Sequence, residues 1–291
     1  MATQDWQDTS QRGLNALQIR ERLTVVTIGV FDSGVGGLSI LDEALQQLPH
    51  HNYIYFADSA NAPYGNRSPE WIAERSLQIC RYLLEQNCSA IVVACNTATA
   101  EAIAAIRSTL DIPIIGVEPG IKPAAMQSQN GVVGVLATEA TLNSDKFNAL
   151  LATLPQDCQF IKQAGAGLVP LIEAGQIETP EMHALLRSHL GPIQERGADT
   201  LVLGCTHYPF LKNIIRDIVG DSMELIDTSD AVVRQLVRQM DQQGISANPN
   251  IDAPSLSLLS TANADTLQTM AQRLLLRDLS QYTIYTETLK L

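Results

Sequence analysis

Residues 91–97, IVVACNT, occur a second time in altered form as residues 201–207, LVLGCTH. Each stretch is an apolar run followed by a small residue, a cysteine and two residues that can hydrogen-bond. A second pair lies ahead of them, because residues 28–33, IGVFDS, resemble residues 133–138, VGVLAT. The copies begin 110 and 105 residues apart, from 91 to 201 and from 28 to 133. A repeat of this length predicts two similar domains, since the units of a solenoid are roughly 20–50 residues long.

Cys95 and Cys205 occupy equivalent positions in the two copies. Like domains usually face each other about a pseudo-twofold axis, which would set the two cysteines on opposite walls of one cleft. Each cysteine follows a strand-like run and precedes a helix, where unpaired N–H groups and the helix dipole stabilise a thiolate. Two such thiols are what a racemase without a cofactor needs. A free cysteine is otherwise often a small buried hydrophobe, and that interpretation suits Cys80, Cys88 and Cys158.

The composition of the chain excludes several classes of protein. Its 291 residues suffice for two ordinary cores, and 45% apolar with 17% charged residues is typical of a soluble protein. A net charge of −12 and a pI of about 4.8 argue against nucleic acid as a partner. No apolar run approaches the roughly 20 residues of a membrane span. Five cysteines without C-x-x-C spacing favour reduced thiols in the cytoplasm.

Apolar runs of strand length alternate with helical patterns along the chain, which predicts parallel sheets covered on both faces. We expect an α/β protein of two similar three-layer parallel-sheet domains related by pseudo-twofold symmetry, with the active site in the interdomain cleft. The expected divisions are a flexible N-terminal extension (1–22), a first domain (23–117 plus 234–291) and a second domain (118–233). The expected strands are 25–31, 53–57, 90–94, 112–117, 131–137, 201–204, 256–259 and 282–286. The expected helices are 38–48, 97–110, 142–154 and 208–219, with one starting at Ser68-Pro69, one after Asp230 and one from Ala264.

Residues 32–37, DSGVGG, follow the first strand. They do not form a dinucleotide fingerprint, because Ser39 stands where the last glycine is required. One interpretation is simply a tight strand-to-helix turn. The other is a carboxylate site made of backbone N–H groups and Ser33, in which Asp32 holds a substrate ammonium or supports a neighbouring base.

Several other features bear on cofactors and ligands. The loop at residues 61–66, NAPYGN, has turn composition and could close Tyr64 and Gly65 over a ligand. His207, two residues after Cys205, suits an acid–base helper better than a metal ligand, because no other compact ligand set accompanies it. A pyridoxal phosphate enzyme needs a Schiff-base lysine. The lysines all lie outside these motifs, at Lys122, Lys146, Lys162, Lys212 and Lys290.

Together these motifs resemble the glutamate racemases, a cofactor-independent branch of the aspartate/glutamate racemases. The matching stretches are residues 28–37, 63–65, 94–98 and 204–209, so the resemblance covers about residues 25 to 287. It implies an isomerase that interconverts L- and D-glutamate by two-base proton transfer and provides D-glutamate for peptidoglycan. It also implies a cytoplasmic enzyme, which we expect to be a homodimer, with no metal, no cofactor and no membrane or nucleic-acid partner.

The same resemblance assigns the site residues. Cys95 and Cys205 would be the acid–base pair, Asp32 would support Cys95, and His207 with Glu173 would support Cys205. The substrate would contact Asp32, Ser33, Tyr64, Gly65, Asn96, Thr97, Thr206 and His207. Three alternatives stay open: an aspartate racemase of the same superfamily, a non-catalytic two-domain amino-acid-binding protein, and a redox enzyme that pairs the two cysteines as a disulfide.

Overall fold

Two all-parallel β-sheets form the framework of the protein in a computed structural model, which describes residues 26–154, 157–246 and 253–291. The first sheet has six strands in the order β10-β9-β2-β1-β3-β4. Their bounds are Thr27–Asp32 (β1), Asn52–Ala57 (β2), Cys88–Val93 (β3), Ile114–Gly116 (β4), Ser255–Ser260 (β9) and Thr283–Thr288 (β10). The last two strands thus return to the first sheet, as expected of the end of the chain.

The second sheet has four strands in the order β6-β5-β7-β8. Their bounds are Val132–Ala137 (β5), Gln159–Ala164 (β6), Thr200–Gly204 (β7) and Glu224–Ile226 (β8). This order repeats the β2-β1-β3-β4 order of the first sheet, so β5 corresponds to β1 and β7 to β3. The two repeated sequence stretches therefore fall on equivalent strands. The expected fold class, two parallel-sheet α/β units, is confirmed.

Helices cover both faces of these sheets, which the buried, apolar strands require. We call the six-stranded sheet and its flanking helices the first lobe, and the four-stranded sheet with its helices the second lobe. The helices are Leu38–Gln47 (α1), Pro69–Glu85 (α2), Asn96–Thr109 (α3), Ile121–Gln127 (α4), Glu139–Asn143 (α5), Asp145–Ala152 (α6), Leu168–Glu173 (α7), Pro180–Glu195 (α8), Lys212–Val219 (α9), Ser229–Gln242 (α10) and Ala264–Leu274 (α11). No helix among the described residues has the length and apolarity needed to cross a bilayer.

Hydrogen bonds from capping side chains explain where several helices begin. Ser68 Oγ accepts a hydrogen bond from Trp71 N at 3.3 Å, and Pro69 takes the first helical position. Cys95 caps α3 in the same way, with its Sγ accepting from Ala98 N. The cap that starts this helix is therefore also one of the two repeated cysteines.

The structure corrects two expected helices. The segment 142–154 is not one helix, because Ser144 caps a new helix by accepting from Phe147 N and so separates α5 from α6. The segment 208–219 begins as a 3₁₀ turn, Tyr208–Leu211, before α9. Pro209 lies in the first turn, where its missing N–H is tolerated.

Part of the expected domain division lies outside the described residues. The N-terminal extension, residues 1–22, is outside them, as are residues 247–252 of the stretch after α10. The boundaries between 117 and 118 and between 233 and 234 stay a prediction. One buried cluster of apolar side chains includes members of both lobes, among them Leu38 and Leu41 of α1 and Ile172 and Leu211.

Candidate active site

A small cavity lies between the lobes, at the carboxyl ends of β1, β3, β5 and β7. This is where ligands bind in open α/β sheets. Its volume is about 20 Å³, which is room for about one water molecule. Both repeated cysteines line it, and the complete lining is Ser33, Pro63, Tyr64, Gly65, Cys95, Asn96, Thr97, Thr138, Val169, Cys205, Thr206 and His207.

Cys95 enters the cavity from the first lobe. It is 6% exposed, its Sγ accepts a hydrogen bond from Ala98 N at 3.4 Å, and it lies 3.6 Å from Ser33 Oγ. Burial, reinforced by the charge of nearby Asp32, raises the pKa of Cys95 to about 12. Cys95 is therefore a protonated thiol at neutral pH and can donate a proton into the cavity.

Cys205 enters from the second lobe, and its neighbouring side chains differ from those of Cys95. Its Sγ lies 3.6 Å from His207 Nδ1, and His207 Nε2 is 2.6 Å from Glu173 Oε1. Burial alone would lower the pKa of His207, but the hydrogen bonds with Cys205 and Glu173 outweigh it and the pKa lies well above its usual value. His207 is therefore an imidazolium near neutral pH, placed to stabilise negative charge on Cys205 Sγ.

Glu173 and Asp32 stand behind the cavity wall and tie the lobes together. Glu173 Oε1 also accepts a hydrogen bond from Val35 N of the first lobe at 2.7 Å. Asp32, fully buried, accepts from Gly34 N at 2.8 Å and from Thr206 Oγ1 at 3.1 Å. Burial raises the pKa of Asp32, and the positive charge of His207 opposes that rise. Each carboxylate thus reaches from one lobe to the other.

Two glycines of the turn after β1 allow these contacts. A Cβ on Gly34 would collide with the carboxylate of Glu173, and a Cβ on Gly36 would collide with the ring of His207 and with Thr206 Oγ1. The glycines are therefore needed for the close approach of the second lobe. If the turn merely tolerated glycine, a Cβ at these two positions would not collide with side chains of the second lobe.

A buried polar network fixes the loop that carries Tyr64. The Tyr64 hydroxyl donates to Asp58 Oδ2 at 2.6 Å, and Arg75 donates to both oxygens of Asp58, with Nη2 at 2.7 Å and Nε at 2.9 Å. Burial would raise the pKa of Asp58, but the hydrogen bonds from Arg75, Tyr64 and Asn61 hold it below its usual value. Asp58 is therefore an anion that anchors the loop beside Cys95.

The sequence model of the Asp/Glu/hydantoin racemase family matches residues 28–236. The chain belongs to this racemase family. It is 52% identical over 248 residues to the glutamate racemase of Cupriavidus pinatubonensis, covering 85% of this chain and 91% of the relative. It is 51% identical over 248 residues to that of Ralstonia pickettii, covering 85% and 87%. The resemblance inferred from the motifs is confirmed, and the protein is an isomerase of the racemase type.

Solved structures of racemases in this family have the same fold. Glutamate racemase isoform RacE1 from Bacillus anthracis superposes with a TM-score of 0.80 at 31% identity, covering 91% of this chain and 98% of the other. The Escherichia coli glutamate racemase, determined with L-glutamate and the activator UDP-MurNAc-ala, gives a TM-score of 0.79 at 33% identity, covering 92% and 100%. At these identities and coverages, the likeness extends over both lobes.

The structure of this racemase brings the sequence-predicted site residues together. All of them line the cavity except Asp32 and Glu173, which contact residues that do. Thr138 also lines the cavity although the motifs did not predict it, and its Oγ1 lies 3.2 Å from Thr97 Oγ1 across the lobes. The repeat could have revealed it, since Thr138 occupies the position of Ser33 in the second copy. Asp58 directly follows the end of β2, but its pairing with Arg75 and the place of Val169 gave no comparable signal.

Proposed function

We propose that this isomerase interconverts L- and D-glutamate without a cofactor, using Cys95 and Cys205 as its two bases. The observation that carries the proposal is that both thiols line one cavity from equivalent strand ends of two similar lobes. A racemase must remove a proton from one face of the α-carbon and return one to the other face. Two acid–base groups on opposite walls meet that need.

The unequal surroundings of the two thiols suggest how a turnover starts. With imidazolium at His207, Cys205 takes the thiolate role and removes the α-proton of L-glutamate, breaking the Cα–H bond and forming an S–H bond. Cys95, protonated because of its burial, gives its proton to the opposite face and becomes the thiolate. The reverse reaction begins with the Cys95 thiolate and D-glutamate. Every atom is accounted for by one proton taken and one given.

The carbanion between these steps needs stabilisation, because an α-proton of an amino acid is very weakly acidic. Preorganised donors in a closed, dry site supply it most effectively. The side chains of Ser33, Asn96, Thr97 and Thr206, which line the cavity, are the donors that we assign to the substrate carboxylates. Asp32 lies behind the cavity wall and is assigned to support Cys95, and Tyr64 and Gly65 close the site.

The finer assignments also belong to this proposal. Glutamate, and not aspartate, is the substrate that the glutamate racemases among the relatives support. The product, D-glutamate, would then be used for peptidoglycan. We expect the enzyme to be cytoplasmic and a homodimer. A higher kcat/KM for aspartate than for glutamate would move the protein to the aspartate racemases.

A racemisation assay tests the proposal directly. The purified protein, dialysed against chelator and given L-glutamate without cofactor, is expected to bring the optical rotation of the solution to zero. In heavy water the α-proton should exchange as racemisation proceeds. A non-catalytic amino-acid-binding protein would leave the α-proton in place, and activity that appeared only with pyridoxal phosphate or a metal ion would overturn the two-thiol scheme.

A further inference from the structure

The carbonyl group of Thr206 has an unusual position in the hydrogen-bonding pattern. It precedes His207 in the sequence Thr206-His207-Tyr208-Pro209. In a tight turn this carbonyl would accept from the residue three positions on, but that residue is Pro209, which has no N–H. The next N–H, of Phe210, is bonded instead to the carbonyl of His207 at 3.3 Å. Thr206 is buried, so its carbonyl needs a donor from elsewhere.

Ser39 supplies that donor from the other lobe. Its Oγ lies 2.9 Å from the carbonyl oxygen of Thr206, and it is the one donor that the described residues offer this oxygen. Ser39 is the second residue of α1, directly after the turn that holds the glycines. The bond therefore exists only while the first lobe is closed over the peptide between Thr206 and His207.

We propose that Ser39 is a positioning residue for the Cys205 side of the reaction. Its hydroxyl fixes the 206–207 peptide on lobe closure and so aligns the His207 ring with Cys205 Sγ. The inference rests on the proposed function, because it assigns Ser39 to one of the two proton-transfer steps. The hydrogen bonds of the Ser39 side chain go to backbone carbonyls and to neither cysteine, so it acts through the backbone that carries His207.

A competing interpretation is that Ser39 makes an ordinary bond within its own helix. Its Oγ also lies 2.9 Å from the carbonyl of Gly36, three residues earlier, and such back-bonds are common for serine. Ser188 provides the matched control, since its Oγ donates to Leu185 O at 2.7 Å with the same three-residue spacing. Only Ser39 has the second acceptor in the other lobe.

The test compares Ser39→Ala, Ser39→Thr and Ser188→Ala with the wild type. Loss of one hydrogen bond that leaves a buried carbonyl without a partner costs about a tenfold change in an equilibrium or rate. We expect Ser39→Ala to lower kcat/KM for glutamate about tenfold, equally in both directions because the enantiomers have equal free energy. Ser39→Thr keeps the donor and should restore most of the rate. Ser188→Ala should match the wild type.

Kinetic isotope effects distinguish a positioning role of Ser39 in the Cys205 step from a general loss of structure. If the Cys205 step is slowed, the effect of α-deuterium on kcat/KM should rise for L-glutamate and fall for D-glutamate. A merely structural role would move both effects together or neither, and that result would overturn the proposal. Equal kinetics for Ser39→Ala and Ser188→Ala would also overturn it.

Alkylation of the thiols gives a readout that does not depend on turnover. In Ser39→Ala the lobes should separate more often, so iodoacetamide should label Cys95 and Cys205 faster than in Ser188→Ala, as shown by peptide mass spectrometry. Unchanged labelling would count against the role of Ser39. A wild-type protein that failed to racemise glutamate would refute the proposed function itself, which is a distinguishable result.

Discussion

Cys95 and Cys205 come from equivalent strand ends, yet their side chains have different partners. Cys95 has a hydroxyl and a backbone N–H, whereas Cys205 has the ring of His207 backed by Glu173. The duplication thus supplies the two positions, and the difference in charge comes from His207, where the first copy has Thr97, and from Glu173 outside the repeated stretches. The two thiols therefore lie in different electrostatic surroundings, and the proposed division of proton transfer rests on this difference.

Removing either thiol should abolish racemisation, because every turnover uses both. We expect Cys95→Ala and Cys205→Ala to lose at least about 10³-fold in kcat, the scale of general acid–base catalysis. The remaining base should still exchange the α-proton of its own enantiomer, which is L-glutamate in Cys95→Ala and D-glutamate in Cys205→Ala. Mass spectrometry in heavy water measures this. The opposite pattern would reverse the assignment of faces, and substantial racemisation by either variant would exclude the two-base mechanism.

The ion pair of His207 and Glu173 should make stability depend on pH in a definite direction. Because the pKa of folded His207 is raised, the folded protein holds a proton that the unfolded chain releases near pH 6.5. The pair therefore contributes fully below about pH 6.5, and its contribution is lost as pH rises toward the raised pKa.

Urea unfolding at pH 6 and pH 9.5 tests this dependence. Wild type should be more stable than His207→Gln by about 2 kcal/mol at pH 6, with a smaller difference at pH 9.5. Glu173→Gln removes the partner and should reproduce the loss. A difference that grew with pH would contradict the assigned direction.

At the scale of elements, the backbone of the turn between β1 and α1 packs directly against side chains of the second lobe. Gly36→Ala should displace His207 and Thr206, and a misplacement on the order of 1 Å costs about a hundredfold in rate. Gly191→Ala is the steric control, because a Cβ there meets nothing within 4 Å. We expect kcat to fall in the first variant only, with circular dichroism unchanged in both. Wild-type kinetics in Gly36→Ala would show that the approach is not needed.

The elements differ in how well the sequence predicts them. Strands β1, β3, β5 and β7 are short, continuously apolar and followed by polar residues, so periodicity finds them. Strand β6, QFIKQA, lies at the edge of its sheet and buries only Ile161, and β8 is three residues long. Neither has an apolar run to detect. Helix α8 has the same signal as α2, a capping hydroxyl followed by proline, but a further proline within it obscures the pattern.

The site residues that belong to short local motifs could be predicted from the sequence. Both cysteines, Asp32 and His207 lie at or just after strand ends and could be recognised from the sequence. The anchor of Asp58 on Arg75 joins residues 17 positions apart, and the bond from Ser39 joins residues 167 apart. Such contacts depend on how elements pack, which spacing along one chain does not reveal.

At the scale of the whole molecule, the cavity of about 20 Å³ is far smaller than the several hundred Å³ of ordinary ligand sites. We therefore expect glutamate to enter when the lobes separate. Gly65 of the first lobe faces Ala140 of the second, and a Cβ built on Gly65 would lie 4.0 Å from that of Ala140, within the range for a disulfide.

A cross-link at this point should hold the cavity shut. The double variant Gly65→Cys, Ala140→Cys is expected to lose glutamate turnover on oxidation and to regain it on reduction, while neither single variant responds. Peptide mapping must show the intended bond, since Cys95 and Cys205 are also free. Full activity in the cross-linked protein would mean that the substrate reaches the thiols without lobe separation.

The shared strand order of the two lobes has a consequence for handedness. A site that bound both enantiomers of a substrate equally would ideally have a mirror plane, but a chain of L-residues cannot have mirror symmetry. A half-turn is available instead, and a half-turn about an axis in the plane of a flat carbanion exchanges its two faces. Two lobes of the same fold that face each other across one cavity can therefore present similar walls to the two faces of the substrate. In the proposed mechanism, side chains that differ between the copies, such as His207 against Thr97 and Asp32 against Ala137, distinguish the hand that each wall meets.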